Sequence, residues 1–163
     1  MIYSKDFNLM LSAKDAKETS NCLRRSIGVA IPTLNGDTIW GANKSKITCK
    51  SCHRETCSAV HAEVEAIVRA LKYQREIDIK KLYIWAEVPC HACLSFIASY
   101  STIDLVYCLM PSTYAIEYPS IDRRSDEIKD RRRYAKALGI TIVELDREEV
   151  IEYELSKHSK THV

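Results

Sequence analysis

Two short stretches constrain this chain more than anything else in it: His61-Ala62-Glu63, inside an apolar-periodic run from Ser58 to Tyr73, and Pro89-Cys90-His91-Ala92-Cys93 further on. In the first, Val60, Val64, Ile67 or Val68, and Leu71 recur at helical spacing, which predicts a helix with one buried face and Ser58 placed to cap its start. His61 and Glu63 then stand in the first turns of a core helix. In the second, Pro89 suits a first helical turn, and Cys90 and Cys93 project from one face of the helix that follows. The rest of the chain reads as a scaffold that positions these two helix starts.

A histidine and two cysteines supply three of the ligands zinc prefers and leave the fourth tetrahedral position for water, as in a catalytic site. Helix dipoles favour Cys90 and Cys93 as thiolates, and two thiolates with a neutral imidazole balance a divalent cation. Glu63 is not needed as a ligand, so it is placed to take a proton from metal-activated water and pass it to a ring nitrogen and a leaving amine. The competing reading is a closed structural zinc site with His91 as fourth ligand and Glu63 as a solvated carboxylate. Such a site has no use for a proline and a glutamate at these places. The two stretches together resemble the signature of the zinc nucleobase deaminases.

At 163 residues and 46% hydrophobic content the chain suits one well-buried domain, placed at residues 1–155, with a polar tail over 156–163. No stretch approaches the roughly 18 apolar residues of a membrane span, and Met1-Ile2-Tyr3-Ser4-Lys5-Asp6 lacks the features of a secretory signal, so the expected location is cytoplasmic. Seven cysteines, an odd number that includes metal-type spacings, point to a reducing compartment and metal ligation over a disulfide framework. A net charge of +2 lacks the strong basic excess of a non-specific duplex binder, and nucleic acid is not the expected partner.

In chain order, Lys5 to Thr19 carries helical periodicity through Phe7, Met10, Leu11 and Ala16. Ser26–Ile31 and Thr38–Trp40 read as two antiparallel strands joined across Asn35-Gly36. A polar, cysteine-rich loop from Lys44 to Cys57 leads to the first motif. Beyond it, Lys81–Ala86 is a buried strand, Leu94–Tyr100 continues the cysteine helix, and Asp104–Leu109 is another strand. Arg124–Leu138 is a charged helix ending at Gly139, Ile140–Leu145 a fifth strand, and Asp146 caps a last helix through Leu155. Crossover helices between strands imply parallel neighbours in the middle of the chain.

This order resembles the cytidine deaminase fold, which implies an α/β class: a three-layer α-β-α sandwich with a five-stranded mixed sheet. Ser20-Asn21-Cys22-Leu23-Arg24-Arg25-Ser26-Ile27-Gly28, Gly41-Ala42-Asn43 and Leu105-Val106-Tyr107-Cys108 narrow the resemblance to the deoxycytidylate deaminases. In that family an asparagine at the place of Asn43 contacts the sugar. Two residues after the catalytic glutamate the family usually has asparagine, whereas this chain has Glu65. An unpaired carboxylate there is a poor neighbour for a phosphate, so Glu65 is expected to be held by Arg123, Arg124 or Lys72.

The resemblance also implies a second, structural zinc held by Cys22, Cys49, Cys52 and Cys57, with His53 as substitute ligand. The bland alternative is four reduced thiols. Arg123 and Arg124 offer bidentate donors to a nucleotide phosphate, and Tyr114 and Tyr118 lie in the segment before them. Because Asp122, Asp126, Glu127 and Asp130 are interleaved with these arginines and with Arg131, Arg132 and Arg133, a solvated helix face is the competing reading. Base-edge contacts are assigned to Ala62 and the Glu87-Val88 turn, and Tyr107 is carried as a further candidate contact or a core residue.

The expected activity is hydrolytic deamination of a cytosine nucleotide, dCMP to dUMP with release of ammonia, through attack of zinc-bound hydroxide at C4. Its rivals are another free cytosine compound, a polynucleotide base as in the tRNA adenosine deaminases, and a non-catalytic zinc scaffold, against which Glu63 argues. The resemblance implies a homo-oligomer.

Overall fold

The computed structural model describes residues 3–22, 25–45, 59–73, 79–111 and 121–159, with side chains throughout except at 73 and 121–124. The chain runs α1 (Ser4–Ala16), a 3-10 turn (Lys17–Thr19), β1 (Gly28–Pro32), β2 (Thr38–Ala42), α2 (Ala62–Tyr73), β3 (Lys81–Ile84), α3 (His91–Tyr100), β4 (Leu105–Leu109), α4 (Ile121–Ala137), β5 (Thr141–Leu145) and α5 (Arg147–Ser159). The sheet order is β2-β1-β3-β4-β5. β1 pairs antiparallel with both β2 and β3, whereas β3, β4 and β5 are parallel, as crossover helices between consecutive strands require.

Alternation along each strand divides the core in two. Val29, Ile31, Leu82, Ile84, Val106 and Cys108 face the layer of α2, α3 and α4, joined there by Ala66, Ile67, Leu94, Ile97, Ile128 and Ala135. Ala30, Tyr83, Tyr107, Leu109 and Leu145 face α1 and α5, meeting Leu9, Met10, Ala13 and Val150. The result is the expected three-layer α-β-α sandwich with a five-stranded mixed sheet.

Turn chemistry sets the ends of several elements. Gly36, in the hairpin between β1 and β2, and Gly139, after α4, both have positive φ, +87° and +76°, a region that glycine enters without a steric penalty. α5 continues to Ser159, beyond the Leu155 limit drawn from the sequence, into part of the stretch read as a polar tail.

The buried face of α2 differs from the one its apolar spacing implies. Ile67 is buried as that spacing implies, but Val60, Val68 and Leu71 are about half exposed, and Ala62, Glu63, Ala66 and Ala70 complete the buried face. The reason lies in the neighbouring strand. A Cβ on Gly41 of β2 would lie 2.5 Å from the Ala62 carbonyl oxygen and 2.7 Å from the Ala66 Cβ. The helix therefore approaches the strand so closely that only alanines fit at the contact, and Val68 and Leu71 turn outward. This close approach seats the start of α2, with His61 and Glu63, against the sheet.

Candidate active site

Both motif helices carry a metal-type ligand just outside their first turn. His61 precedes α2, and its carbonyl accepts the Glu65 amide at 3.0 Å. Cys90 is the N-cap of α3, with extended backbone (φ −67°, ψ 163°), and its carbonyl accepts the Leu94 amide at 2.9 Å. Pro89 consequently lies one residue before the cap and not in the first turn, where the sequence reading puts it. Cys93 follows inside the helix, three residues after Cys90 and on the same side.

His61 Nδ1 is 3.2 Å from Cys93 Sγ and 3.8 Å from Cys90 Sγ. The three ligand atoms all lie within 4.8 Å of one another. A tetrahedral zinc with bonds of about 2.0 to 2.3 Å separates its nitrogen and sulfur ligands by about 3.5 to 3.8 Å, so this donor set fits the ion in both type and spacing. His61 is exposed, Cys90 half-buried and Cys93 buried, which leaves the cluster open to solvent from the imidazole side.

Glu63 is 4% exposed, and burial pushes its carboxyl above the ordinary value of 4.5. Its own backbone hydrogen bond, His61 and a contact with Cys93 pull the other way, and Cys90 adds to the rise. Cys90 is drawn down to about 3, first by a hydrogen bond from the Cys93 thiol and then by His61. Cys93 moves up by the same hydrogen bond, by burial and by the Glu63 charge. Zinc takes cysteine ligands as thiolates, so loading this cluster would release thiol protons.

Asn43 and Glu65 brace the neighbouring edge of the sheet. The Asn43 Oδ1 accepts hydrogen bonds from Ser20 Oγ at 2.7 Å and from the Ile27 amide at 2.8 Å, and Nδ2 donates to the Arg25 carbonyl at 2.6 Å. Its side chain ties the segment before β1 to the exit of β2. Glu65 accepts the Ala42 amide at 2.6 Å on one oxygen and the Arg69 guanidinium at 2.8 Å on the other, with the Lys44 ammonium 3.9 Å away. Arg69, one helical turn on, holds Glu65, while the side chains of Arg123 and Arg124, expected there from the sequence, lie outside the described residues. Such i,i+4 neighbours on a helix meet without any tertiary arrangement.

Ala62 is buried in the first turn of α2, and Glu87 and Val88 lie in the turn that leads to Cys90. Tyr107 is not brought to the cluster. It stacks on Tyr83, ring centroids 4.5 Å apart and 12° from parallel, in the core between the sheet and α1. Arg123 and Arg124 are in the first turns of α4, whereas Tyr114 and Tyr118 fall outside the described residues. So do Cys49, Cys52, His53 and Cys57, while Cys22 is a half-buried free thiol.

Sequence reasoning missed the part α4 plays. Arg131, assigned there to a charged cluster, donates from Nη1 to the Val88 carbonyl at 3.1 Å. Its neighbours Asp130 and Tyr134 reach His91 at 3.0 Å and the Ser95 hydroxyl at 2.6 Å. The shared face of positions 130, 131 and 134 was the available signal, but nothing local tells what that face meets.

Among curated proteins none matches the sequence at a significant level. Solved structures share the fold. The dCMP deaminase of cyanophage S-TIM5, in complex with dCMP and dUMP, superposes with a TM-score of 0.64 at 23% identity, over 89% of this chain and 99% of that one. Its apo form gives 0.65 at 21% identity, over 89% and 100%. The diaminohydroxyphosphoribosylaminopyrimidine deaminase/5-amino-6-(5-phosphoribosylamino)uracil reductase of Thermotoga maritima gives 0.54 at 15% identity, over 91% of this chain but 38% of the other. The family model described as the cytidine and deoxycytidylate deaminase zinc-binding region matches residues 3–110, which contain His61, Glu63, Cys90 and Cys93, and the chain accordingly belongs to this family of zinc-dependent hydrolases.

Proposed function

We propose that this protein hydrolyses the exocyclic amine of a cytosine nucleotide, converting dCMP to dUMP and ammonia. The observation that carries the reading is Glu63, a buried carboxyl two residues from His61 and in contact with Cys93, beside a three-donor cluster suited to zinc. His61, Cys90 and Cys93 would hold the ion, which when bound supplies Lewis-acid activation of water for attack at C4. Burial makes Glu63 a better proton holder than an exposed glutamate, so it can accept a proton from water and return it to the ring nitrogen and the departing amine. Ala62 and the Glu87-Val88 turn flank the cluster and are assigned to the base edge, and Asn43 to the sugar.

Support for a monophosphate comes from Glu65. With Arg69 and Lys44 beside it, the carboxylate no longer presents an unpaired negative charge to a phosphate. Arg123 and Arg124 are assigned to that phosphate. The cyanophage enzyme, whose fold this chain shares, binds dCMP and dUMP.

The protein acts as one deaminase domain and as a homo-oligomer. Val68 and Leu71 on the outward face of α2, with Val60 just before it, are large apolar side chains suited to burial against a second copy. Light scattering that gives 18.6 kDa at working concentration would overturn this assembly. No helix among the described residues is long and apolar enough to cross a membrane, and the four described cysteines are free, which suits a reducing, cytoplasmic setting.

The test is an ammonia-release assay over cytidine, deoxycytidine, their mono- and triphosphates, and a short single-stranded oligonucleotide. Turnover highest on dCMP supports the reading. Turnover confined to the oligonucleotide, or none on any substrate by zinc-loaded protein, overturns it.

A further inference from the structure

α4 grips the segment that presents Cys90 and Cys93 at three points. Arg131 Nη1 donates to the Val88 carbonyl at 3.1 Å, Asp130 lies 3.0 Å from His91 Nε2, and the Tyr134 hydroxyl shares a 2.6 Å hydrogen bond with Ser95. The Tyr134 ring also leans on His91, with centroids 4.9 Å apart. Val88, His91 and Ser95 bracket both cysteines in sequence. The three α4 residues share a helix face.

The turn before Cys90 is a place where such support matters. Proline at 89 offers no N–H, and Cys90 has extended backbone ahead of the helical ladder. The Ala86 carbonyl is fixed by the Leu109 amide at 2.8 Å and the Cys90 carbonyl by the Leu94 amide at 2.9 Å. Between those two points Arg131 supplies a hydrogen bond to the Val88 carbonyl. Its side chain is 23% exposed and also meets Glu127 at 3.5 Å, so the guanidinium is held from both sides. The Asp130–His91 pair is more exposed and contributes less, as surface pairs do.

We propose that Arg131 is a positioning residue for the metal cluster: by fixing the Val88 carbonyl it sets the direction in which the chain enters Pro89, and so the place of the Cys90 sulfur relative to Cys93 and His61. The inference rests on the proposed reading of that cluster as a zinc site. A planar, always charged guanidinium suits this task better than a lysine, because its rigid fork loses less freedom per hydrogen bond formed. Groups that orient metal ligands from outside the coordination sphere commonly change metal affinity by about 10- to 100-fold when removed.

Arg131→Ala, Arg131→Lys and Tyr134→Phe are compared with wild type for zinc affinity, by competition with a chromophoric chelator, and for the visible bands of the Co²⁺-substituted protein. Unfolding of each protein is followed in parallel. Arg131→Ala should weaken zinc by about tenfold or more and shift the cobalt bands, Arg131→Lys should recover part of both, and Tyr134→Phe should move both in the same direction by less. Should the alanine variant fail to fold, the lysine and phenylalanine variants decide the question. Wild-type zinc affinity and cobalt bands in the folded variants, even with lowered stability, would overturn the proposal and leave α4 as packing alone. Wild-type protein that binds zinc but releases no ammonia overturns the proposed function, and the affinity comparison still decides the role of Arg131.

Discussion

The Glu65 carboxylate joins Arg69, at 2.8 Å on its own helix, to the Ala42 amide, at 2.6 Å on the edge strand. α2 and β2 are thereby linked by a charged hydrogen bond beside the close approach at Gly41. Glu65→Ala should leave the Ala42 amide without its acceptor and lower stability by about 1 to 3 kcal/mol, whereas Glu65→Gln, which keeps an oxygen there, should cost less. The exposed arm to Arg69 adds only a few tenths of that. Urea unfolding of the three proteins checks the order, and an alanine variant as stable as wild type would contradict the linkage.

Glu63→Gln preserves size and hydrogen-bonding reach but cannot carry a proton. Zinc content and fold should be retained while turnover nearly vanishes. Activity within tenfold of wild type would sink the proton-transfer role. His61→Ala and Cys93→Ala should instead lose the metal itself, as metal analysis would reveal.

The residues of this cluster were legible because their spacing is local: a step of three from Cys90 to Cys93 and one of two from His61 to Glu63 need only helical geometry. Fold class was legible for a similar reason, since strand alternation and the Asn35-Gly36 and Gly139 punctuation survive any packing. Tertiary distance was not. Of the apolar stripe, Ile67 is buried, whereas Val68 and Leu71 point outward because Gly41 draws the alanine face inward, and no periodicity encodes the depth of that contact. Tyr107 shows a related limit. Period-two alternation places it opposite Val106 and Cys108, but which face of the sheet carries the site depends on the helices that cover it.

Behind the sheet, the Tyr83 hydroxyl donates to Asp6 at 2.6 Å, and Asp6, buried in α1, also accepts the Tyr3 amide at 2.9 Å. Burial, and then the hydrogen bond to Asp6, push Tyr83 well above its ordinary 10.0. The unfolded chain therefore loses this proton first, so the contribution is whole below pH 10 and declines as pH rises from there toward the folded value. Tyr83→Phe should cost about 1 to 3 kcal/mol at neutral pH, where it strips a buried carboxylate of a donor, and should flatten the alkaline decline. Unfolding measured from pH 7 to 11 would test both halves, and an unchanged alkaline slope would refute the assignment.

If Cys22, Cys49, Cys52 and Cys57 hold a structural zinc, metal-replete protein should contain about two zinc ions per chain. Cys49→Ser combined with Cys52→Ser should then remove one ion and lower stability, because ligands that fold around a metal convert binding energy into folding energy. A stoichiometry of one in untreated, metal-replete protein would retire the second site.

A phosphate on the proposed substrate would supply the sharpest test of the arginines at the start of α4. A dianionic group needs a cation, Arg69 is engaged with Glu65, and Arg123 and Arg124 are the donors proposed for it. Losing one charge-assisted bidentate contact should cost about 2 to 3 kcal/mol in the transition state, a drop of about 30- to 160-fold in kcat/KM. Because deoxycytidine lacks the phosphate, Arg123→Ala and Arg124→Ala, made separately, should depress catalytic efficiency on dCMP far more than on the nucleoside. The ratio of the two efficiencies is the readout, since a general loss of stability or of metal lowers both together. A wild-type preference for deoxycytidine, or a ratio unmoved in both variants, would show that these arginines belong to a solvated helix face and that the site recognises an uncharged substrate.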